Sequence, residues 1–360
     1  MARLAADAMT TAPPRAPGPP DWDGEFAALY ADLAERRSHG DVEQARAVQD
    51  RIAARLVEAI QGAYAAGCAA RAERRDREGF LHLEAALGLH RWTPPGLVLP
   101  VSRSDCYRVL GAIYRDWGQP SAVAAATALA LRTGESFYKM PHLCQIPILA
   151  GLYEQLFGRR VDGCFVEVGA FDGETYGNTA GLADLGWSGL YIEPMPEAFE
   201  LCRRRHVNNP GVKLLNCAIG PSDGTAELWV AREFSTLSRE HIEHGITQGW
   251  MSDGAYAQIR VPQRRLATAL TQEGIAPGFE LLVVDVEGAE EQIFATFDLA
   301  HWRPLAIIVE LADFAPPGHA IDASRAAVAS ARRVRALILA SGYEAVYADF
   351  TNTVFRRSTL

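Results

Sequence analysis

The chain has 360 residues, of which 49% are hydrophobic and 22% are charged, so it can bury a large core and is not disordered throughout. Its 44 acidic residues outnumber its 35 basic ones, and the one run of basic side chains, residues 71–77, is interleaved with acids. This balance argues against a nucleic-acid partner, because proteins that bind phosphate backbones carry clustered positive charge.

The cysteines and the apolar runs indicate the compartment. Six cysteines are spread along the chain without a Cys-x-x-Cys pair, which favours reduced thiols over a disulfide framework or a zinc ribbon. The first residues lack a charged segment followed by an apolar one, and no apolar run reaches the length of a membrane span. We therefore expect a cytoplasmic protein without a membrane partner.

The first third of the chain is predicted to be a tail followed by helices. Residues 1–20 are rich in proline and predict a disordered tail. Apolar residues then recur at helical spacing, as in Phe26, Leu29 and Leu33, and this periodicity predicts an α-helical accessory domain over residues 21–135. We expect this domain to serve assembly into a homo-oligomer or positioning of a substrate.

From residue 136 to residue 360 the pattern changes to short apolar runs that alternate with helices. Near-continuous apolar strands of this kind are typical of a parallel sheet covered on both faces. A long helix, residues 322–340, then precedes a strand, a tight turn and a second strand in residues 343–357. The sequence thus predicts an α/β fold, a Rossmann-like doubly wound sheet with an antiparallel terminal strand. The apolar runs are residues 164–168, 189–193, 212–217, 279–285 and 305–310.

The first strand and its turn, CFVEVGAFDGET, carry the first chemical signal. A strand, a glycine turn and a helix form the usual cradle for a nucleotide. A nicotinamide-dependent oxidoreductase, the alternative enzyme class, would show Gly-x-Gly-x-x-Gly, whereas this turn has Glu167, Gly169 and Gly173. An acid before the first glycine repels a pyrophosphate and suits a ligand that carries an ammonium and a sulfonium.

A second acid and a small apolar segment indicate an adenosine ligand. Glu193 ends the second predicted strand, where a carboxylate accepts hydrogen bonds from both ribose hydroxyls. Cys217 and Ala218 follow the third strand, at the place where an adenine ring would lie.

Three segments together resemble the FkbM family of S-adenosylmethionine-dependent O-methyltransferases. They are FVEVGAFDGETYGNTAGLADLGWSGLYIEPMPEAF, VDVEGAEEQIF and RPLAIIVEL, and the resemblance covers about residues 145–357. It implies the class I methyltransferase fold, with seven strands, and methyl transfer to a hydroxyl of a sugar or secondary metabolite, as in natural product biosynthesis. Two alternatives stay open: a carboxylate acceptor, which some relatives use, and a non-catalytic interaction protein with a degenerate fold.

The resemblance also implies which residues bind the cofactor. Gly169 and the nearby backbone would hold the methionine part, Glu193 the ribose, and Ala218 with its neighbours the adenine. Gln145 matches a glutamine of the family on the helix before the first strand, although a packing helix explains the segment equally well. The predicted cofactor-binding residues are Gln145, Glu167, Gly169, Ala170, Asp172, Thr175, Glu193, Pro194, Cys217, Ala218 and Asp285.

Two mechanisms of proton removal are open. Asp285 and Glu310 end neighbouring strands, and with Asp313 as a third ligand they predict a metal site, for which oxygen ligands favour Mg²⁺. Such a cation lowers the pKa of an acceptor hydroxyl. Without a metal, Asp285 or His241 would act as the catalytic base.

Other acids and histidines near these residues have structural explanations. Glu310 is equally explained as a helix cap. Glu287 and Glu290 are predicted to complement the dipole of the following helix. His241 and His244 lie three residues apart in an irregular stretch, a spacing that also occurs on exposed helix faces.

Overall fold

The computed structural model of the protein describes residues 22–132, 135–140, 144–230, 235–248, 256–321 and 325–358. The predicted tail of residues 1–20 lies outside these ranges. The chain divides into two compact units, Met1–Val101 and Ser102–Leu360. In the part of the chain that is described, no helix is both long and apolar enough to cross a membrane.

The secondary-structure elements in the described part of the first unit are helices, as the apolar periodicity predicts. Ile52, Leu56 and Ile60 recur at four-residue steps on the second helix and are all buried. Asp41 caps the start of that helix, because its carboxylate accepts a hydrogen bond of 3.1 Å from the backbone N–H of Gln44. The helices are α1 (Trp22–Ser38), α2 (Val42–Ala72) and α3 (Asp76–Leu89), and a 3-10 turn, His90–Trp92, follows them.

The second unit contains further helices and all the strands of the described residues. The helices are α4 (Arg103–Asp116), α5 (Pro120–Leu131), α6 (Leu149–Phe157), α7 (Ala180–Asp184), α8 (Pro196–Arg205), α9 (Arg239–Gln248), α10 (Leu266–Glu273), α11 (Glu290–Phe294), α12 (Leu299–Trp302) and α13 (Ala326–Ala340). The strands are β1 (Cys164–Val168), β2 (Ser188–Ile192), β3 (Val212–Leu215), β4 (Ala218–Ile219), β5 (Gly224–Val230), β6 (Ala257–Arg264), β7 (Leu281–Val284), β8 (Ala306–Glu310), β9 (Tyr343–Ala348) and β10 (Asn352–Arg357).

The boundary between the units differs from the predicted boundary between residues 135 and 136. Helices α4 and α5 belong to the unit that holds the strands, and α5 packs against both α6 and β9. Their apolar faces have the same periodicity as those of the first unit, so helical spacing alone cannot tell which core each helix joins. The role of the helices in the first unit stays a prediction.

The main sheet confirms the predicted doubly wound fold. Among the described residues it has seven strands in the order β3-β2-β1-β7-β8-β10-β9. The first five strands in this order pair in parallel, and β10 runs antiparallel to both β8 and β9. The seven-stranded sheet with an antiparallel terminal strand is the class I methyltransferase arrangement that the family resemblance implies.

The centre of the sheet is buried on both faces. Val166 of β1, Leu190 of β2 and Leu282 of β7 pair in register and are fully buried. Strands of this kind need apolar residues at every position, which explains the continuous runs in the sequence. The carboxyl ends of β1, β2, β7 and β8 therefore meet at one edge of the sheet.

A small second sheet, in the order β4-β6-β5, is absent from the sequence prediction. Strand β5 runs antiparallel to β6, and Leu228 and Val261 are the buried residues of the two strands. Because each strand buries so little, neither has the apolar run or regular alternation from which a strand is predicted.

Strand β9 forms an outer edge of the main sheet, and the side chain of Gln119 binds its backbone at Ala348. Gln119 donates from Nε2 to the backbone oxygen of Ala348 at 2.7 Å and accepts from its backbone N–H at 3.0 Å. Ala348 is buried, so both of its backbone groups depend on this amide.

We expect Gln119→Ala to lower the free energy of unfolding by about 2 kcal/mol, because two buried backbone groups lose their partners. Urea unfolding followed by fluorescence measures this change. The matched control is Gln155→Ala, since the exposed Gln155 amide donates a single hydrogen bond among the described residues, of 3.2 Å, to the backbone oxygen of Ser121. Equal effects of the two variants would contradict the role of Gln119.

Candidate active site

A cavity of about 320 Å³ opens at the carboxyl edge of the main sheet. Parallel doubly wound sheets bind their ligands at this edge. Of the predicted cofactor-binding residues, the following line the cavity: Gln145, Glu167, Gly169, Ala170, Thr175, Glu193, Pro194, Cys217, Ala218 and Asp285.

Asp172 is the predicted cofactor residue that does not line this cavity. Its carboxylate accepts hydrogen bonds from the backbone N–H of Glu174 at 2.9 Å, and from the backbone N–H and hydroxyl of Thr175, both at 2.7 Å. Asp172 thus stabilises the turn that places Thr175 on the cavity wall, and its contact with the cofactor stays a prediction.

The turn after β1 requires glycine at position 169. Gly169 has a φ of +84°, and a Cβ atom there would lie 1.7 Å from the backbone oxygen of Asp285. No side chain can be accommodated at that distance. The backbone after β1 therefore passes directly over the backbone after β7.

Glu193 lies at the end of β2, and each oxygen of its carboxylate accepts one hydrogen bond from the protein. One oxygen, Oε2, accepts from the backbone N–H of Phe171 at 2.9 Å, and the other, Oε1, accepts from that of Met195 at 2.7 Å. Each oxygen keeps a further accepting position. Burial raises the pKa of Glu193 to about 7. The two remaining positions suit a ligand with two neighbouring hydroxyl groups.

Glu167 is buried on β1 and holds the loop that follows. It accepts hydrogen bonds from the backbone N–H of Asn178 at 3.0 Å and from the hydroxyl of Thr179. Burial raises the pKa of Glu167. Asn178 also lines the cavity, and sequence reasoning missed it. The available signal was a polar side chain directly after the glycine turn, in Tyr-Gly-Asn-Thr.

Three carboxylates meet where β7 and β8 end. Val284 of β7 pairs with Val309 of β8, so the next residues, Asp285 and Glu310, are neighbours. One oxygen each of Asp285, Glu287 and Glu310 lies within 4.8 Å of the others. Asp285 and Glu310 share a hydrogen bond, and burial raises the pKa of Asp285 to about 6 and that of Glu310 well above its ordinary value. Such a group of acids retains a proton or binds a cation.

The third member of this acidic cluster differs from the prediction. Asp313 forms an ion pair with Arg335 at 2.5 and 2.6 Å and is buried. Glu287, predicted to complement a helix dipole, takes the place expected for Asp313. Sequence proximity to Glu310 favoured Asp313, whereas the long side chain of Arg335 reaches it from α13.

Glu290 begins α11, the position from which it was predicted to complement the helix dipole, and its carboxylate also binds the preceding turn. Its Oε1 accepts from the backbone N–H of Val286 at 3.1 Å and from that of Gly288 at 3.2 Å. Glu290 therefore stabilises the turn between β7 and α11 and is not among the described residues that line the cavity.

The other predicted residues have the following positions. Gln145 precedes α6 rather than lying on it, and its Oε1 accepts from the side chain of Asn352 at 3.0 Å. His241 and His244 lie on α9, and their side chains are outside the described residues. The role of His241 as a base stays a prediction.

The cavity wall carries carboxylic acids but, among its described residues, no basic side chain. Glu167, Glu193, Asp285 and Glu287 line it, and none of its described residues is lysine, arginine or histidine. Acids without basic partners attract a cationic ligand and repel a phosphate. The wall therefore suits a positively charged ligand with hydroxyl groups.

Comparison with known proteins identifies the segment that builds this cavity. Residues 167–345 match the family model of the methyltransferase FkbM domain. All the acids of the cavity and of the cluster fall within this segment, whereas Gln145 precedes it. None of the curated proteins matches the chain.

Solved structures of methyltransferases show a distant similarity. A TehB-like S-adenosylmethionine-dependent methyltransferase from Corynebacterium glutamicum has 9% identity and a TM-score of 0.26, with 54% of this chain and 80% of that one covered. The methyltransferase PaMTH1 of Podospora anserina, bound to S-adenosylhomocysteine, has 10% identity and a TM-score of 0.28, with 55% and 72% covered. The CurJ carbon methyltransferase has 10% identity and a TM-score of 0.30, with 93% and 99% covered.

We expect Asp313→Ala to lower the free energy of unfolding by about 2 kcal/mol, because the largely buried Arg335 loses its carboxylate partner and keeps only the hydroxyl of Thr353 as a hydrogen-bond partner among the described residues. Urea unfolding measures this change. Glu291→Ala is the matched control, since it breaks the exposed ion pair with Arg333, which lies on α13 like Arg335. We expect this control to change the free energy of unfolding by less than about 0.5 kcal/mol. A small effect of Asp313→Ala would contradict its structural role.

Proposed function

Residues 167–345 belong to the FkbM family of methyltransferases, and on this premise we propose that the protein transfers the methyl group of S-adenosylmethionine to a hydroxyl oxygen of a small molecule. The acceptor class is a sugar or a secondary metabolite, and the setting is natural product biosynthesis. Methyl transfer from S-adenosylmethionine is the activity of the family.

The acidic wall of the cavity is the observation that carries the choice of cofactor. S-Adenosylmethionine brings a sulfonium and an ammonium, both positive, and the wall has four acids and no basic side chain among its described residues. A dinucleotide would bring a pyrophosphate to the same acids, which is unfavourable at low dielectric. The ligand class that fits is therefore a cationic adenosine derivative.

Glu193 and Ala218 support the adenosine part. The two free accepting positions of the Glu193 carboxylate match the two ribose hydroxyls. Buried Ala218 and Leu228 line the side of the cavity next to Glu193 and offer an apolar surface for adenine.

The acidic cluster supports transfer to oxygen. A sulfonium methyl is already activated, so the protein has mainly to align the acceptor and remove its proton. Asp285 and Glu287 line the cavity, and Glu310 lies next to these two acids. We propose that Asp285, Glu287 and Glu310 hold a divalent cation. All three ligands are carboxylate oxygens, which favours Mg²⁺. When bound, such a cation lowers the pKa of a nearby hydroxyl.

A second mechanism uses the carboxylate of Asp285, which lines the cavity. Burial places the pKa of Asp285 at about 6, which suits a general base that works near neutral pH. In this mechanism Asp285, or the predicted base His241, accepts the hydroxyl proton directly and no metal takes part.

The helices of the first unit have a separate proposed role. All the described residues that line the cavity belong to the second unit. We propose that the helices of residues 22–101 serve assembly into a homo-oligomer or positioning of the acceptor.

We expect Glu193→Ala to weaken binding of S-adenosylhomocysteine by about 10- to 150-fold, the range for hydrogen bonds to a charged group. Calorimetric titration measures this change. Glu200→Ala is the control, because Glu200 pairs with Arg203 and Arg204 on the surface of α8. An unchanged dissociation constant in a folded Glu193→Ala variant, or equal binding of NAD to the wild type, would refute the proposed site.

We expect EDTA to abolish methyl transfer to hydroxyl-bearing sugars and metabolites while binding of S-adenosylhomocysteine persists, and Mg²⁺ to restore the transfer. Labelled S-adenosylmethionine and a metabolite panel provide the assay. Glu310→Ala should lose the response to Mg²⁺, and Asp313→Asn, whose carboxylate binds Arg335, should keep it.

The outcome distinguishes both the mechanism and the acceptor. Full activity in EDTA, with Glu310→Ala near wild type, would refute the metal and leave the general base. Alkaline hydrolysis of the product identifies the acceptor atom, since methyl esters are cleaved and methyl ethers are not. Release of the label by base would establish a carboxylate acceptor.

A further inference from the structure

One buried polar atom on the cavity wall has no hydrogen-bond partner among the described residues. Asn178 is 3% exposed and lines the cavity, and its side-chain oxygen Oδ1 is buried without a hydrogen bond from any described residue. Buried polar atoms are almost always satisfied, and an exception calls for an explanation. A ligand that donates a hydrogen bond supplies one here.

The backbone of Asn178 is held firmly on both sides. Its N–H donates to Oε1 of Glu167 at 3.0 Å, and its carbonyl oxygen accepts from the hydroxyl of Tyr153 at 2.9 Å. Both partners are buried. The side chain of Asn178 therefore has a defined place beside Glu167, at the end of β1.

The order of residues along the sheet edge indicates which part of a ligand reaches this place. Ala218 follows β3, Glu193 follows β2, and Glu167 with Asn178 lies at β1, in the order in which these strands pair. If the proposed function holds, adenine lies near Ala218 and ribose on Glu193. The amino-acid end of S-adenosylmethionine then extends to β1.

We propose that Oδ1 of Asn178 binds the ammonium group of that amino-acid end. An ammonium donates hydrogen bonds and an amide oxygen accepts them. The carboxylate of Glu167 lies next to Asn178 and attracts the ammonium, whereas it repels the carboxylate of the ligand. This inference rests on the proposed function and adds the residue that recognises the amino-acid end.

The consequence is a two-point attachment of the cofactor. The ribose is bound at Glu193 and the ammonium at Asn178, and the sulfonium lies between these two groups along the molecule. Fixing both ends orients the methyl group toward the acceptor, which is the main contribution that the protein can make to the transfer.

Three ligands test this proposal by calorimetric titration of the full chain. S-Adenosylhomocysteine carries the ammonium and the carboxylate, its decarboxylated analogue keeps only the amine, and methylthioadenosine has neither. We expect Asn178→Ala to weaken binding of the first two ligands by about 10-fold or more, and to change the affinity for methylthioadenosine by no more than about twofold. Asn178→Asp keeps an accepting oxygen and should retain most of the affinity for the first two.

Each other outcome overturns the proposal. Equal weakening of all three ligands by Asn178→Ala indicates a merely structural role, and weakening of S-adenosylhomocysteine alone assigns Asn178 to the carboxylate. Unchanged binding of all three removes Asn178 from the site. Asn209→Ala is the matched control, since the exposed Asn209 amide bonds to Asp184 outside the cavity. If the wild type binds neither S-adenosylhomocysteine nor methylthioadenosine, the proposed function itself is wrong.

Discussion

The close approach of two turns is the constraint on which the site depends. A Cβ atom at Gly169 would lie 1.7 Å from the backbone oxygen of Asp285, so the turn after β1 and the turn after β7 touch through their backbones. This contact joins two chemical regions that come from separate parts of the chain. Glu167 and Glu193 lie on one side, and the acidic cluster of Asp285 lies on the other.

Local backbone strain concentrates around the same cavity. Phe171, Tyr176 and Glu287 line it and have left-handed φ angles of +48°, +57° and +55°. For residues other than glycine this conformation costs about 1–2 kcal/mol each. Partly buried hydrogen bonds such as that from the backbone N–H of Phe171 to Glu193 hold these angles in place. The shape of the cavity is thus set by backbone conformation as well as by side chains.

Much of the fold and part of the site could be predicted from the sequence. Continuous apolar runs identify buried parallel strands, and neighbouring parallel strands end together, which is why the meeting of Asp285 and Glu310 was predictable. The ion pair of Asp313 with Arg335 could not be predicted, because the two residues are close only in the folded chain. The only signal for Asn178 was a polar residue after the glycine turn, which many loops also show, and β5 and β6 bury too little to produce a pattern.

The amide of Gln119 has a consequence for how copies of the chain can associate. A sheet edge with unpaired backbone groups is a template for another strand, and many proteins aggregate or dimerise in that way. At Ala348 both backbone groups already bind Gln119, and α5 packs against the same strand. A continuous sheet running from one copy into the next across β9 would have to displace this amide first. Gln119 is therefore a barrier to edge-to-edge polymerisation, and any assembly that preserves it must use another surface.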